Sequence, residues 1–232
     1  MSWDTATLES WRKITPEVKQ FLLRLENDEW DFKPGQHTHI RFDKDGEEVV
    51  RPYTPTNLPG EDRFTLAIKR YEDGNASVWM HDREIGDEVE VEEPEGNLYI
   101  RDYDRDAVFI STGTGATPMF VMLKDYLENG SGKAWYFHGE KTREHLLFQE
   151  TLDQLEAEHP ELEVVYSLSD ESWSGREGHI QEHLPEVLDS FDDRIFYVCG
   201  VPQAVVDAEE LLKDRGVEEE RIVTEGWEED AT

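Results

Sequence analysis

Near residue 102 the rhythm of the sequence changes, and this change limits the possible folds more than any other feature of the chain. From Trp11 to about Ile100 the apolar residues come in short runs: Val18 to Leu25, His37 to Phe42, Val49-Val50, Phe64 to Arg70, Val89 to Val91 and Leu98 to Ile100. Turn formers separate them, at Pro34-Gly35, Asp45-Gly46, Pro59-Gly60, Asp73-Gly74 and Ile85-Gly86-Asp87. Short strands punctuated in this way predict an antiparallel barrel or sandwich, interrupted by a helical turn or two around Ala76 to Asp82. After the charged linker Asp102 to Asp106, strand-like runs at Ala107 to Ser111, Ala134 to His138, Leu162 to Ser167, Ile195 to Cys199 and Arg221 to Thr224 alternate with helical stretches. Those stretches lie at Pro118 to Glu128, Arg143 to Glu158, Ile180 to Leu188 and Pro202 to Arg215. This alternation predicts an α/β doubly wound, mostly parallel sheet, so two domains are expected, 1–101 and 102–232.

Composition removes several classes of function. The chain has 55 acidic against 23 basic residues, a formal net charge of −32, which repels a nucleic-acid backbone or an anionic membrane surface. The acids run through both halves, and Lys (9 residues) is scarcer than Arg (14). We therefore read the charge as a solvated surface suited to concentrated salt, rather than as a docking face for a basic partner, and expect a halophilic source. Cys199 is the only cysteine, which excludes an internal disulfide and an iron–sulfur cluster ligated by four thiolates of this chain. The start MSWDTATLESWRK has no basic, apolar signal-peptide pattern, and no apolar run is long enough for a bilayer. A cytoplasmic protein without membrane insertion is expected.

In a doubly wound sheet, ligands bind beyond the carboxyl ends of the strands. Ser111-Thr112-Gly113-Thr114-Gly115-Ala116-Thr117-Pro118 occupies such a position, between a strand run and a helix. Its glycines allow close backbone approach, and free amides at a helix start attract a pyrophosphate. Turns of this kind also occur as purely structural elements. In the first half, Arg51-Pro52-Tyr53-Thr54 combines a guanidinium fork, a flat ring and a hydroxyl, a set that can hold a phosphate and a planar heterocycle but that also suits an ordinary strand end.

Taken together these motifs resemble the ferredoxin–NADP reductase family of flavoprotein reductases. Five family motifs occur in order: Arg51 to Thr54, Gly74-Asn75-Ala76-Ser77, Pro94-Glu95-Gly96, Gly113 to Pro118 and Cys199-Gly200-Val201-Pro202. The resemblance spans Trp11 to Trp227 and implies an antiparallel Greek-key β-barrel binding FAD, followed by an NAD(P)-binding α/β domain. It implies that Arg51 holds the FAD pyrophosphate, Tyr53 packs on the isoalloxazine and Thr54 bonds flavin N5, with Pro52 between them. Gly74, Ala76 and Ser77 would serve the same pyrophosphate from a helix start, where a simple N-cap is the alternative. Ile68, Lys69 and Arg70 would flank the flavin or its ribityl chain. Gly113, Thr114 and Gly115 would cradle the nicotinamide cofactor, and Cys199 and Gly200 would face the nicotinamide, although a buried cysteine is also a good small hydrophobe. Glu225-Gly226-Trp227 would bring Trp227 over the flavin or close the core.

Family members that prefer NADP carry a Ser-Arg pair after the third strand of this domain. Here the chain reads Ser167-Leu168-Ser169-Asp170-Glu171. A carboxylate suits ribose hydroxyls and repels a phosphate, so Ser169 and Asp170 indicate NADH rather than NADPH, with Arg143 and Arg176 near enough in sequence to supply positive charge. His37 and His39 lack a third ligand at metal-binding spacing, and no metal is expected. Leu146-Leu147-Phe148 reads as a buried helix face. The activity implied is hydride transfer from NAD(P)H to FAD, then electron release to a separate ferredoxin, another iron–sulfur protein or an oxygenase component. A reductase of free flavin or small acceptors is one alternative, and a non-catalytic electron-transfer subunit of a larger complex is another.

Overall fold

In the computed structural model of the chain, residues 3–26, 30–72 and 74–225 are described. Gly226 and Trp227 lie outside them, as does Asp73. The chain divides into two compact units, one ending at Tyr99 and one beginning at Ile100.

The first unit is a curled six-stranded antiparallel sheet, ordered β4-β3-β6-β1-β2-β5. Its strands are β1 (Trp3–Lys13), β2 (Val18–Leu25), β3 (Thr38–Lys44), β4 (Glu47–Tyr53), β5 (Arg63–Lys69) and β6 (Glu88–Glu92), with helix α1 (Asn75–His81) between the last two. Alternation drives the curl. Phe21, Leu23 and Leu25 of β2, Ile40 and Phe42 of β3, and Phe64, Leu66 and Ile68 of β5 turn one face inward, where they meet Met80 of α1. Each such side chain withdrawn from water contributes roughly 1.5–3 kcal/mol. The register of β1 against β2 shifts between Leu8 and Ser10, a bulge that bends the strand. The two outer strands then approach through a bridge between Pro55 and Leu66 and a bond from the Thr56 amide to the Thr65 carbonyl (2.8 Å). Pro52, which has no N–H, is tolerated because β4 is an edge strand.

The second unit is a six-stranded parallel sheet, ordered β10-β9-β8-β7-β11-β12. Its strands are β7 (Asp106–Thr112), β8 (Ala134–Glu140), β9 (Leu162–Leu168), β10 (Arg176–Glu177), β11 (Arg194–Cys199) and β12 (Ile222–Glu225). The helices are α2 (Ala116–Asn129), α3 (Gln149–Glu158), α4 (Leu184–Val187) and α5 (Pro202–Asp214). The strands read as continuous apolar runs because both faces are covered: Val108, Ile110, Phe137, Phe196 and Val198 pack with Val205, Ala208 and Leu212 of α5, while Phe109 stacks on Tyr197. Strand order reverses between β7 and β11, a topological switch point.

Several sequence expectations need correction. Residues Trp3–Lys13 form β1, the longest strand, whereas the sequence pattern indicated a barrel beginning at Trp11. Leu98 to Ile100 is not a strand; it is irregular chain in which Leu98 and Ile100 are buried. The helix expected from Arg143 to Glu158 starts only at Gln149, after a 3-10 turn and a break at Phe148 (φ 59°). Leu146 and Leu147 are therefore buried from a loop, not from a helix face. Ile180 to Leu188 is a 3-10 turn followed by four residues of α-helix. No helix of the described residues is long and apolar enough to cross a membrane.

Candidate functional site

In the barrel unit, Arg51 and Tyr53 share one face of edge strand β4, and Thr54 follows directly. The Pro55–Leu66 bridge draws this strand end toward β5, whose last residues are Ile68 and Lys69, with Arg70 next in sequence. Tyr53 is half-buried, and burial drives its phenol pKa well above the ordinary value, opposed in part by the nearby Arg51 charge. The Arg51 guanidinium donates one bond, to the Val50 carbonyl (2.9 Å). Thr54 is buried, yet its Oγ1 has no hydrogen-bond partner among the described residues.

Helix α1 begins beside this cluster. Its N-cap is Gly74, with no side-chain capping bond, so Ser77 is not the cap: it lies in the first turn, where its Oγ accepts the Tyr71 amide (3.2 Å) and keeps its own proton to donate. Lys44, at the end of β3, reaches the side-chain oxygen of Asn75 at the helix start. Lys69 pairs with Glu17 (2.9 Å) and lies over the Tyr71 ring, and Arg70 pairs with Asp82 (3.2 Å). Ile68 offers its carbonyl to His81 Nε2 (2.8 Å).

In the second unit two loops meet at the switch point. Residues Gly113–Gly115 form one 3-10 turn leading into α2. A Cβ on Gly115 would collide with the carbonyl of Cys199, and one on Gly200 would collide with Thr112 Oγ1. Only glycine permits this backbone-on-backbone contact. Thr112 Oγ1 then accepts the Val201 amide (3.0 Å). Ile180 and Val205 lie beside Thr112 and Cys199 at this junction. Cys199 itself is buried.

Beneath the turn is a closed hydrogen-bond relay. The Leu147 amide donates to His138 Nε2 (3.3 Å), which leaves the ring proton on Nδ1 for Ser111 Oγ (2.9 Å), and Ser111 donates to the Phe137 carbonyl (3.2 Å). Full burial pushes the His138 pKa down from 6.5 to about 4, so the ring is neutral. At the ends of β8 and β9, the Ser169 and Asp170 amides bond the Glu140 and Lys141 carbonyls (2.9 and 3.0 Å), and Ser169 Oγ bonds Asp170 (3.0 Å). Glu171 accepts the Arg143 amide (2.8 Å), and Arg176 Nε is buried with no partner among the described residues.

Residues 5–100 match the model of an oxidoreductase FAD-binding domain, and residues 109–210 that of an oxidoreductase NAD-binding domain. The chain is 32% identical to NADH-cytochrome b5 reductase 1 of Dictyostelium discoideum over 89% of this chain and 75% of that protein. It is 29% identical to ferredoxin–NADP reductase B of Sorangium cellulosum over 96% of both chains. The chain belongs to the ferredoxin–NADP reductase-like family. Its members are NAD(P)H-dependent flavoprotein oxidoreductases, and this reductase carries their FAD-binding and NAD-binding domains. At 29% identity it also matches the glycine betaine monooxygenase reductase subunit of Chromohalobacter salexigens, spanning about half (53%) of that protein's length. The flavohem-like FAD/NAD-binding domain of nitric oxide dioxygenase from Vibrio cholerae has the same fold, with a TM-score of 0.89 at 24% identity, covering 97% of this chain and 98% of that one.

The residues of the reductase fit both cofactors. For FAD, the fit is a buried hydroxyl in need of a partner at Thr54, an arginine with donors to spare at Arg51, and a half-buried aromatic ring between them. For the dinucleotide, it is a glycine turn at a helix start, held by the loop after β11. Sequence reasoning overlooked Lys44, Tyr71, His81, Thr112 and His138. Thr112 lies inside a recognised motif, but its partner is 89 residues away. Tyr71, 46% exposed beside the Tyr53 phenol, could have been noticed as an aromatic following Ile68 to Arg70. His37 and His39 meet edge to face (5.1 Å) and His39 approaches Glu92 (3.3 Å); no group of His, Cys, Asp or Glu suited to a metal occurs among the described residues.

Proposed function

We propose that this reductase takes electrons from NADH through FAD and passes them to a separate one-electron acceptor, with 1–101 as the FAD domain and 102–232 as the nucleotide domain. Bound FAD would supply the redox chemistry, accepting a hydride and releasing electrons singly. Arg51 holds the pyrophosphate as a bidentate donor, with the Ala76 amide and Ser77 hydroxyl beside it. Tyr53 packs against the flavin ring and excludes water, and Thr54 Oγ1 finds its missing partner at flavin N5. Pro52, Ile68, Lys69, Arg70 and Gly74 line the same cofactor, and Trp227 is assigned over the flavin from the motif pattern alone. On the second unit Gly113, Thr114 and Gly115 receive the dinucleotide, while Cys199 and Gly200 present backbone to the nicotinamide. The observation that carries this reading is the buried, unpartnered hydroxyl of Thr54 at the end of the strand bearing Arg51 and Tyr53.

The carboxylate of Asp170 at the end of β9 supports NADH, because it accepts ribose hydroxyls and repels a 2′-phosphate. A second reading, NADPH, is favoured by the unpartnered Nε of Arg176. The acceptor fits a ferredoxin, another iron–sulfur protein or an oxygenase component, since this sequence holds one cysteine; the b5-reductase relatives add a b5-type cytochrome to these candidates. Direct reduction of free flavin is the competing activity. The excess of 32 negative charges suits a cytoplasm of high salt. An absorbance spectrum of the purified protein, followed by anaerobic titration with NADH and NADPH, tests the reading. A yellow protein bleached by NADH at the higher kcat/KM is expected. A colourless protein that takes up no FAD in molar salt would end it, and a preference for NADPH would reassign Arg176.

A further inference from the structure

His81 is a buried side chain that none of the motifs explains. It closes α1, a helix of seven residues, and only 8% of its surface is exposed. An imidazole in an apolar barrel end is costly unless hydrogen-bonded. Nε2 meets the Ile68 carbonyl at 2.8 Å, the ring stands edge-on to Phe21 (5.6 Å), and its own carbonyl accepts Lys19 Nζ (2.9 Å). A carbonyl only accepts, so Nε2 is the donor. At its other end the helix is tied to the residues after β5 by the Tyr71 amide on Ser77 Oγ and by the Gly74 amide on the Tyr71 carbonyl (3.0 Å). A helix of this length is about 10 Å long, so the bonds at its two ends set its place along the strand.

We infer that His81 is a positioning residue for FAD: by holding Ile68 from the far end of α1, it places the first turn of that helix, and with it the Ala76 amide and Ser77 hydroxyl, for the diphosphate. The inference rests on the reading of that turn as part of the FAD site. The groups facing the ring are Lys19 from β2, Arg70 after β5 and Asp82 next in sequence, with Phe21 on its apolar side. Burial lowers the imidazole pKa below the ordinary value, aided by the Lys19 and Arg70 charges and opposed by the bond to the Ile68 carbonyl and by Asp82.

The test compares His81→Leu and His81→Gln with the wild-type holoprotein, measuring the FAD dissociation constant by flavin fluorescence and apoprotein melting in parallel. His81→Leu fills the space without a donor and should weaken FAD about tenfold, the value of one buried hydrogen bond. His81→Gln retains an N–H donor and should stay within about threefold of wild type. NADH affinity should not change in either variant. FAD affinity unchanged in His81→Leu, or a lowered apoprotein melting temperature with unaltered FAD binding, would overturn the inference. If His81→Leu does not fold, failure of His81→Gln to retain FAD would do the same. Wild type unable to bind FAD would instead condemn the reading of the site.

Discussion

The two units build their candidate binding sites from opposite materials. In the antiparallel unit the groups proposed to hold the ligand are side chains, the Arg51 guanidinium, the Tyr53 ring and the Thr54 hydroxyl, carried side by side on the end of one strand. In the parallel unit it is backbone, in two glycine-bearing loops packed so closely that a methyl group at Gly115 meets the Cys199 carbonyl. The difference follows from topology. An edge strand of a barrel exposes side chains along its length, whereas a parallel sheet is covered on both faces and offers a ligand only its strand ends. Removing atoms should therefore harm the first unit, and adding them the second.

The largest expected effect concerns stability in acid. An imidazole with a folded pKa below its unfolded value takes up its proton first in the unfolded chain. The stability associated with His138 is thus full above about pH 6.5 and drains away as pH falls toward about 4. Its loss amounts to roughly 3 kcal/mol. Urea unfolding of wild type and His138→Gln across this range should show the steeper pH slope in wild type, and parallel slopes would remove His138 as the cause. Next, Gly115→Ala should lower kcat/KM for NADH about a hundredfold by misplacing the dinucleotide turn, with FAD content unchanged. Arg51→Ala should do the converse, weakening FAD retention roughly twentyfold in equilibrium dialysis while leaving NADH affinity intact. If both variants lost both cofactors, the contrast between the units would break.

A finer distinction comes from Thr112→Val, which removes the acceptor for the Val201 amide while keeping the shape. It should raise the KM for NADH about fivefold with little change in kcat. An unaltered KM would show that the glycine contact alone holds the two loops together. Smallest of all should be the response of Arg70→Gln, whose partner Asp82 is a surface carboxylate. Exposed pairs contribute at most about 1 kcal/mol, so FAD affinity should shift less than about fivefold and the shift should vanish in molar salt.

Much of this was legible in the residues. The runs from Val18 to Leu25 and from Phe64 to Arg70 alternate strictly enough to mark β2 and β5 almost to the residue. Strand β1 escaped notice because its inward residues include only Ala6 and Leu8 as buried apolar groups, set among Thr, Glu and Ser. Leu98 to Ile100 misled in the opposite sense: three apolar residues can seal a loop as well as form a strand, and periodicity over so short a run does not separate the two. Phe148 ended a helical pattern by adopting a left-handed conformation that its side chain does not advertise.

The amino-acid order alone determined the change from period-two alternation to strand–helix repeats, and hence two folded units, because burial periodicity is a local property of the chain. It also determined which chemical groups stand at the strand ends. Tertiary structure decided which of them meet. Thr112 reaches Val201 because β11 lies beside β7 in the sheet, and His81 reaches Ile68 because a seven-residue helix folds back along its strand. Such contacts depend on sheet order and on the length of an element. No residue's own propensity encodes either, so they emerge only when the whole chain has packed.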